Sequence, residues 1–322
     1  MVDQLNLAFW NVENLFDTED AVRSDKLRRV IGKDLEGWNA SLLEAKLGRL
    51  SQVIRALNGN HGPDILGVCE VENRTVLDKL TQRIFADGGR PYNVAHADTS
   101  DGRGIDVAFL YDPDVATTSP QQMFQHSVVK RQATRELFQV NFTIGGKPLV
   151  LIGNHWPSRT AGQYESEPYR MTAGETLAYW IERIHEVLGK DTGIVALGDF
   201  NDEPFNRAIA EYAQAVSDKA VVVNPRIRNH YLLNLMWPLA GAGQGSHLYD
   251  GIWNMLDQIL ISKAVVNGKC GWTLEGSARI EAMQIMTQPG KPGPHRFGIK
   301  PGQRDISGYS DHFPVSVTLR KS

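Results

Sequence analysis

The sequence predicts one domain built from alternating β-strands and α-helices, and three observations carry that prediction. Short apolar runs of strand length recur along the 322 residues. Amphipathic stretches with capping residues and glycine stops lie between them. No Pro/Ser-rich linker, internal repeat or low-complexity tract divides the chain, so residues 1–322 are expected to form a single domain.

Taken in chain order, Leu5 to Trp10 opens as a strand. Ser41 and Glu44 then have the spacing of a capping box, apolar residues follow at 42, 43, 47, 50, 53, 54 and 57, and Asn58-Gly59 supplies the stop. "DILGVCE" (64–70) and "DVAFLYDP" (106–113) read as strands. "LFQVNFTIGGKPLVLIGNHW" (137–156) reads as a hairpin turning at Gly145-Gly146. Thr172 with Glu175 repeats the capping device ahead of Leu177, Ile181, Ile184 and Leu188, closed by Gly189. "GIVALGD" (193–199), "LDQILIS" (256–262) and "PVSVTL" (314–319) complete the strands. Segments 17–39, 224–255 and 277–309 fit no element, and each is longer than a structural connection needs.

Composition narrows the function classes. The chain is 42% hydrophobic and 22% charged, with a formal net charge of −3 and a pI near 6.3. These values exclude a generally basic, nucleic-acid-coating surface, although a local basic patch is compatible with them. Cys69 and Cys270 sit in apolar stretches without CxxC spacing, which argues against a disulfide framework or a structural zinc site. No run approaches a membrane span and no leader-like region precedes the first strand. The expectation is a soluble monomer, cytoplasmic as given, or secreted or periplasmic if a signal peptide has been removed.

The chemistry is written at the ends of the apolar runs. "FWNVEN" ends the first strand with Asn11, Glu13 and Asn14, and "GVCEVEN" the next with Glu70 and Glu72. "LIGNHWPS" brings Asn154 and His155, "LGDFND" brings Asp199, Asn201 and Asp202, "MLDQILIS" starts at Asp257, and "SGYSDHFPVSV" places Asp311 and His312 before the last strand. A strand core wants none of these groups. No serine or cysteine stands in a nucleophile elbow, and no phosphate-cradling glycine motif is present. Carboxylate and amide oxygens gathered at strand ends suit a hard divalent cation, Mg²⁺ or Mn²⁺. Histidines with acidic partners add proton transfer, and together these groups are what metal-assisted phosphate ester hydrolysis requires.

"WNVENLF", "CEVEN", "RGIDVAFLYDP", "GNHWPSR", "LGDFND", "WNMLDQILIS" and "SDHFPV" resemble, in order, the motifs of the endonuclease/exonuclease/phosphatase superfamily. The resemblance implies the α+β class, as a four-layer α/β/β/α sandwich of two mixed β-sheets flanked by helices, with the site at one edge of the sheets. It implies Glu70 as principal metal ligand, Asn11 as the amide supporting the metal, and Asp311 ligating or orienting it. His312 would contact the phosphate or act on the attacking water, with Asp257 fixing its tautomer. Asp199 and Asn201 would face the scissile phosphate. His155 resembles the second histidine of the deoxyribonuclease and sphingomyelinase branches. Asp106 in "GIDV" is either its orienting acid or a strand-initiating turn residue. Glu13, Glu72, Asp202 and Glu203 are read as supporting or solvated charges.

For substrate, the stretch 289–304, "PGKPGPHRFGIKPGQR", holds four Lys/Arg and His295 with no acid. It is either an electrostatic funnel for phosphates or a solvated loop whose charges balance a neighbour. Tyr164, Arg159 and Arg170 are further phosphate or base contacts to consider, and 17–39 is a candidate lid. The leading expectation is a metal-dependent phosphodiesterase acting on nucleic acid, DNA or RNA. The alternatives are a phosphatase or phospholipase C-type hydrolase of sphingomyelin or inositol phosphates, for which the sequence offers no exposed apolar hairpin, and a non-catalytic binding scaffold.

Overall fold

The computed structural model describes residues 2–99, 104–128, 136–160, 162–227 and 230–322. Arg103, which opens the "RGIDVAFLYDP" motif, lies outside them. Two mixed sheets face each other. The first runs, edge to edge, Trp272–Ile280, Val315–Lys321, Gln4–Leu15, Ile65–Val71, Asp106–Tyr111 and Asn93–His96. The second runs Ala215–Val216, Leu232–Asn234, Asp257–Ile261, Gly193–Asp199, Lys147–His155, Leu137–Ile144 and Ala116–Thr117, with Met123–His126 also paired to Leu137–Ile144. In the first sheet Gln4–Leu15 pairs parallel with Ile65–Val71 and antiparallel with Val315–Lys321.

The central strands are apolar on both faces because both faces are covered. Leu5, Leu7 and Phe9 point into the core between the sheets, where they meet Phe138, Leu149, Val195 and Ile259. Ala8, Trp10 and Val12, one residue out of phase, pack against Leu43, Leu47, Leu50 and Ile54 of helix Ala40–Asn60 and Leu77 and Leu80 of helix Arg74–Ala86. On the far side, Val150, Ile152, Ile194 and Ala196 pack against Leu177 and Ile181 of helix Gln163–Leu188. The expected α/β/β/α layering is the result. Among the described residues no helix is long and apolar enough to cross a membrane. Cys69 and Cys270 are both buried and neither is in a disulfide.

Most predicted elements stand where expected, including the two-residue turn at Gly145-Gly146, whose φ values of 58° and 79° suit glycine. Two helix starts do not. The helix expected from Ser41 begins at Ala40, capped by Asn39, whose side chain accepts from Leu42 N. Its regular geometry ends where Leu57 turns extended, followed by left-handed Asn58 and Gly59, as the stop signal required. The helix expected from Thr172 begins nine residues earlier, at Gln163, and runs through Pro168. There the Thr172 hydroxyl donates to the Pro168 carbonyl, so it serves the helix interior and not its start. The early turns are held by Arg170, fully buried, with Nε 3.1 Å from Asp202 Oδ2 and a guanidinium hydrogen bond to Ser166 Oγ.

The three unassigned segments are packed structure. Segment 17–39 contains the short helix Asp25–Ile31 and buries Ile31, Leu35 and Trp38 in the core with Phe297 and Ile299 of segment 277–309. Arg23 grips Glu72 through two hydrogen bonds, at 2.5 and 2.8 Å. These buried residues anchor the segment proposed as a lid to the body of the protein in this conformation. Segment 224–255 supplies strand Leu232–Asn234, helix Trp237–Gly241 and a separate hairpin of His247–Tyr249 with Ile252–Asn254.

Candidate active site

Strand register assembles the site. In the second sheet, His155, the last residue of its strand, lies beside Asp199, the last of the next, and Asp199 beside Asp257, the first of the antiparallel strand that follows. In the first sheet, Asn11 pairs with Cys69, which sets Glu70 at the same end. Both ladders that involve Ile65–Val71 shift register at this point, and Glu70 sits in the bulge with φ of 63°. Glu13, Asn14 and Asn201 also have positive φ. Four non-glycine residues held in this sparsely populated region, at the ends of three strands from both sheets, mark a place where side-chain aim outweighs backbone comfort.

The side chains bridge the two sheets. Asn11 Nδ2 donates to Asp199 Oδ2 at 3.1 Å, and Asp199 Oδ1 accepts from Asn201 N at 2.9 Å. Asn201 Nδ2 donates in turn to the Trp156 carbonyl. His155 Nε2 lies 3.5 Å from Glu70 Oε1 and 3.8 Å from Asp199 Oδ2. Glu70 Oε2 accepts from Asn14 N at 3.0 Å, while the side chain stays 15% exposed at the mouth. His312 Nδ1 donates to Asp257 Oδ2 at 2.6 Å, and that oxygen also accepts from Ser246 Oγ at 2.6 Å. Ser310 Oγ ties the turn before the last strand to the Asn11 carbonyl. Seven of the eight residues expected at the site are linked by these contacts and registers; Asp311, next to His312 in the chain, interacts with it electrostatically and lies 3.9 Å from the Arg296 guanidinium.

The electrostatics follow from this crowding. Burial by itself would lower the His312 pKa, but Asp257, then Asp199 and Asp311, outweigh it and hold the imidazole well above the ordinary histidine range. Burial pushes Asp199 up to about 7, with His312 pulling against it and Asp257 adding to it. Asp311 feels the same burial, yet His312, Arg296, His247 and Lys46 keep it below the usual carboxylate value.

Several expectations are corrected here. Of the two readings of Asp106, the strand-initiating one is observed: it opens strand Asp106–Tyr111, and its oxygens are taken by His96 Nε2 at 2.8 Å and by Thr99 N and Oγ1, while Glu70 and Asp199 face His155. Arg170 is consumed by Asp202 and cannot reach a phosphate. Arg159 donates to the Asn201 carbonyl at 2.8 Å and keeps one edge exposed. Glu13, Glu72, Asp202 and Glu203 are all structural supports and none is simply solvated. Glu13, pushed up to about 7 by burial, accepts from Phe297 N, Gly298 N and Arg296. Glu203 accepts from Met255 N. The stretch 289–304 spends its cations at home: Arg296 on Glu13, Arg304 on the Ile299 and Glu36 carbonyls, Lys300 3.8 Å from Asp34. Of the two readings, balancing a neighbour is the one observed for these three. The hairpin of His247–Tyr249 and Ile252–Asn254 is exposed and partly apolar at Tyr249 and Ile252, contrary to the expectation that no such feature exists.

Residues missed in the sequence are those delivered by packing. Lys46 is buried, with Nζ 2.7 Å from the Tyr309 carbonyl and 4.0 Å from Glu13 Oε2. Its position three residues past Leu43 and four before Leu50 was the available signal. Ser246 and His247 come from the unassigned segment, and the His247 and His312 ring centroids lie 4.6 Å apart. Cys69 Sγ, a His155 nitrogen and an Asp199 oxygen lie within 4.8 Å of one another.

A family model described as Endonuclease/Exonuclease/phosphatase family matches residues 6–321. The chain belongs to the endonuclease/exonuclease/phosphatase family. Structures of this fold superpose over nearly the whole length. A family protein from Bacteroides thetaiotaomicron shares 14% identity over 99% of this chain and 98% of that one, with a TM-score of 0.58. TDP2 of D. rerio, humanized by 14 mutations, shares 14% over 99% of both chains with a TM-score of 0.59. A mannosyl-6-phosphatase from B. thetaiotaomicron VPI-5482 shares 15% over 98% of this chain and 99% of that one, at 0.55. At such identities the likeness is one of fold. A search of curated proteins returned no match. Members of the endonuclease/exonuclease/phosphatase family are phosphoester hydrolases and are generally dependent on a divalent metal, and the strand-end cluster of this chain contains candidate metal-ligating groups.

Proposed function

We propose that the protein is a Mg²⁺- or Mn²⁺-dependent phosphodiester hydrolase acting on nucleic acid. The observation that supports this most is the row His155–Asp199–Asp257, set side by side by strand register, with His312 clamped to Asp257 at 2.6 Å and Glu70 facing His155 from the other sheet. The oxygen donors fit a hard cation: Glu70 and Asp311 offer partly exposed carboxylates and Asn11 an amide at the same end of the sheets, while the Cys69 thiol, near His155 and Asp199, is fully buried. Glu70 and Asp311 would hold the ion, with Asn11 in support. When bound, it would neutralise charge on the phosphoryl oxygens and favour hydroxide at a bound water.

The remaining work falls to the chain's own residues. Asp257 accepts from Nδ1–H of the His312 imidazolium and so orients the ring, leaving Nε2–H to donate to a phosphoryl oxygen while the imidazolium offsets its charge. Asp199, its orientation set by Asn11 and the Asn201 amide, would take the proton of the attacking water. His155, between Glu70 and Asp199, would bind a second phosphoryl oxygen. Strain at Glu70 and Asn201 holds these donors in place before substrate arrives.

A phosphatase or phospholipase C-type reaction is the second reading. The placing of cations of 289–304 against Glu13, Asp34 and backbone carbonyls favours it, since part of their charge is already offset within the protein. A panel of single-stranded DNA, duplex DNA, RNA, sphingomyelin and sugar phosphates, assayed with Mg²⁺ and Mn²⁺ and again with chelator, separates the two. Chelator-sensitive cleavage of a nucleic acid is expected. Turnover of only the lipid or the sugar phosphates would replace the nucleic-acid reading with the second.

A further inference from the structure

The hairpin of His247–Tyr249 and Ile252–Asn254 belongs to neither large sheet, and its two faces are treated differently. Cross-strand partners share a face, so Leu248 with Trp253 form one face, and His247, Asn254, Tyr249 and Ile252 form the other. The first face is packed on the body. Trp253 stacks on Phe313, ring centroids 6.0 Å apart, and Leu248 lies so close to Gly293 that a Cβ there would meet Leu248 Cδ2 at 2.8 Å. The second face opens to solvent, with Tyr249 73% and Ile252 67% exposed. Exposure alone would not single out these two residues, since others of the chain are as exposed; their place beside His312 does.

That open face begins at the catalytic histidine. His247 pairs through a backbone bridge with His312, and their rings are 4.6 Å apart. Tyr249, two residues further along the same face, holds its ring nearly parallel to that of His247, at 12°, with centroids 6.5 Å apart. Asn254, opposite His247, accepts from Arg159 at 3.3 Å, which closes the edge of the face with a cation. The His247 Nδ1 atom is buried and has no hydrogen-bond partner among the described residues. The base of the hairpin is rigid: Ser246 N donates to the Asn254 carbonyl, Ser246 Oγ to Asp257, and Phe313 N to the Ser246 carbonyl.

We infer that this face is a stacking wall for a nucleobase next to the scissile phosphate, with Tyr249 as the main platform, His247 continuing it toward His312, and Arg159 at its phosphate-facing edge. Parallel aromatic rings present flat surfaces to a flat ligand, and an aromatic platform tolerates any base. A lipid surface is the poorer match: residues 244–254 contain no Lys or Arg, and Asp250 sits at the hairpin tip between Tyr249 and Ile252. The inference rests on the phosphodiester reading for its substrate class.

The test is binding in the presence of EDTA, where the proposed hydrolysis is off, of a single-stranded oligonucleotide carrying one 2-aminopurine, whose fluorescence is quenched on stacking. Wild type and Tyr249→Phe are expected to bind and quench alike. Tyr249→Leu, which keeps bulk and loses the ring face, is expected to weaken binding about tenfold and to lose the quench. An abasic oligonucleotide should not distinguish the three proteins. Equal binding and quench by Tyr249→Leu would overturn the inference, as would Tyr249-dependent binding to phosphatidylcholine vesicles without any to the oligonucleotide. If EDTA-sensitive phosphodiester cleavage is present and the quench absent, the wall is wrong and the chemistry stands. If the quench is present and no phosphodiester is cleaved with Mg²⁺ or Mn²⁺, the fault lies in the proposed function.

Discussion

At the scale of single residues, His312 shows how much a neighbour decides. Its Nδ1–Asp257 hydrogen bond at 2.6 Å is reinforced by Ser246 on the same oxygen, and the second Asp257 oxygen is buried without a partner among the described residues. An aspartate buried so completely is tolerable only because the imidazolium is beside it. His312→Ala and Asp257→Asn are therefore each expected to cost roughly 10²-fold or more in kcat, and the double variant to be little worse than His312→Ala alone. Steady-state kinetics of the four proteins measure this, and additive losses would show independent action. Both residues were legible in the sequence because an ordered motif names them. His247 and Ser246 were not, since nothing in "GQGSHLYDG" shows that its backbone will run beside His312. Asp106 kept two readings for a related reason: a carboxylate at a strand start names no partner, and the fold gave it His96.

At the scale of elements, the site depends on strand ends braced from outside. The bulge at Glu70 aims the carboxylate, and Glu13 in the neighbouring strand is held by three donors from 296–298. That connection turns the basic stretch from a substrate funnel into a brace, and it sets a contrast between two charge reversals. Arg296→Glu places a carboxylate against buried Glu13 and near Asp311. It is expected to lower stability by about 3 kcal/mol, as breaking a partly buried pair does, and to reduce activity at any substrate length. Lys300→Glu breaks one exposed pair, worth less than about 1 kcal/mol, and is expected to leave the melting temperature and the salt dependence of polymer cleavage nearly unchanged. Denaturant unfolding and cleavage at two salt concentrations check both. A strong loss of polymer cleavage in Lys300→Glu, relieved by salt, would restore the funnel. Regular strands and the Gly145-Gly146 turn were readable from period and turn chemistry. The true starts of the two long helices were not, because Asn39 and the buried Arg170–Asp202 pair fix them through contacts distant in sequence.

At the scale of the molecule, two sheets covered by helices place every functional group at one edge, where residues from six stretches between Asn11 and His312 meet. The layering was legible because strands buried on both faces read as unbroken apolar runs. The packing of 17–39 against 296–304 was not, because Trp38 and Phe297, rings 6.0 Å apart, are isolated aromatics in polar sequence until the fold joins them. The central claim is that Glu70 binds the metal on which hydrolysis depends. Glu70→Gln keeps the shape and removes the charge, so Mn²⁺ binding by calorimetry and phosphodiester turnover, measured on wild type and variant side by side, test it most directly. The account predicts a folded variant with unchanged melting temperature in EDTA, weakened Mn²⁺ binding, and turnover reduced by roughly 10³-fold or more. Mn²⁺ affinity and turnover equal to wild type would contradict it.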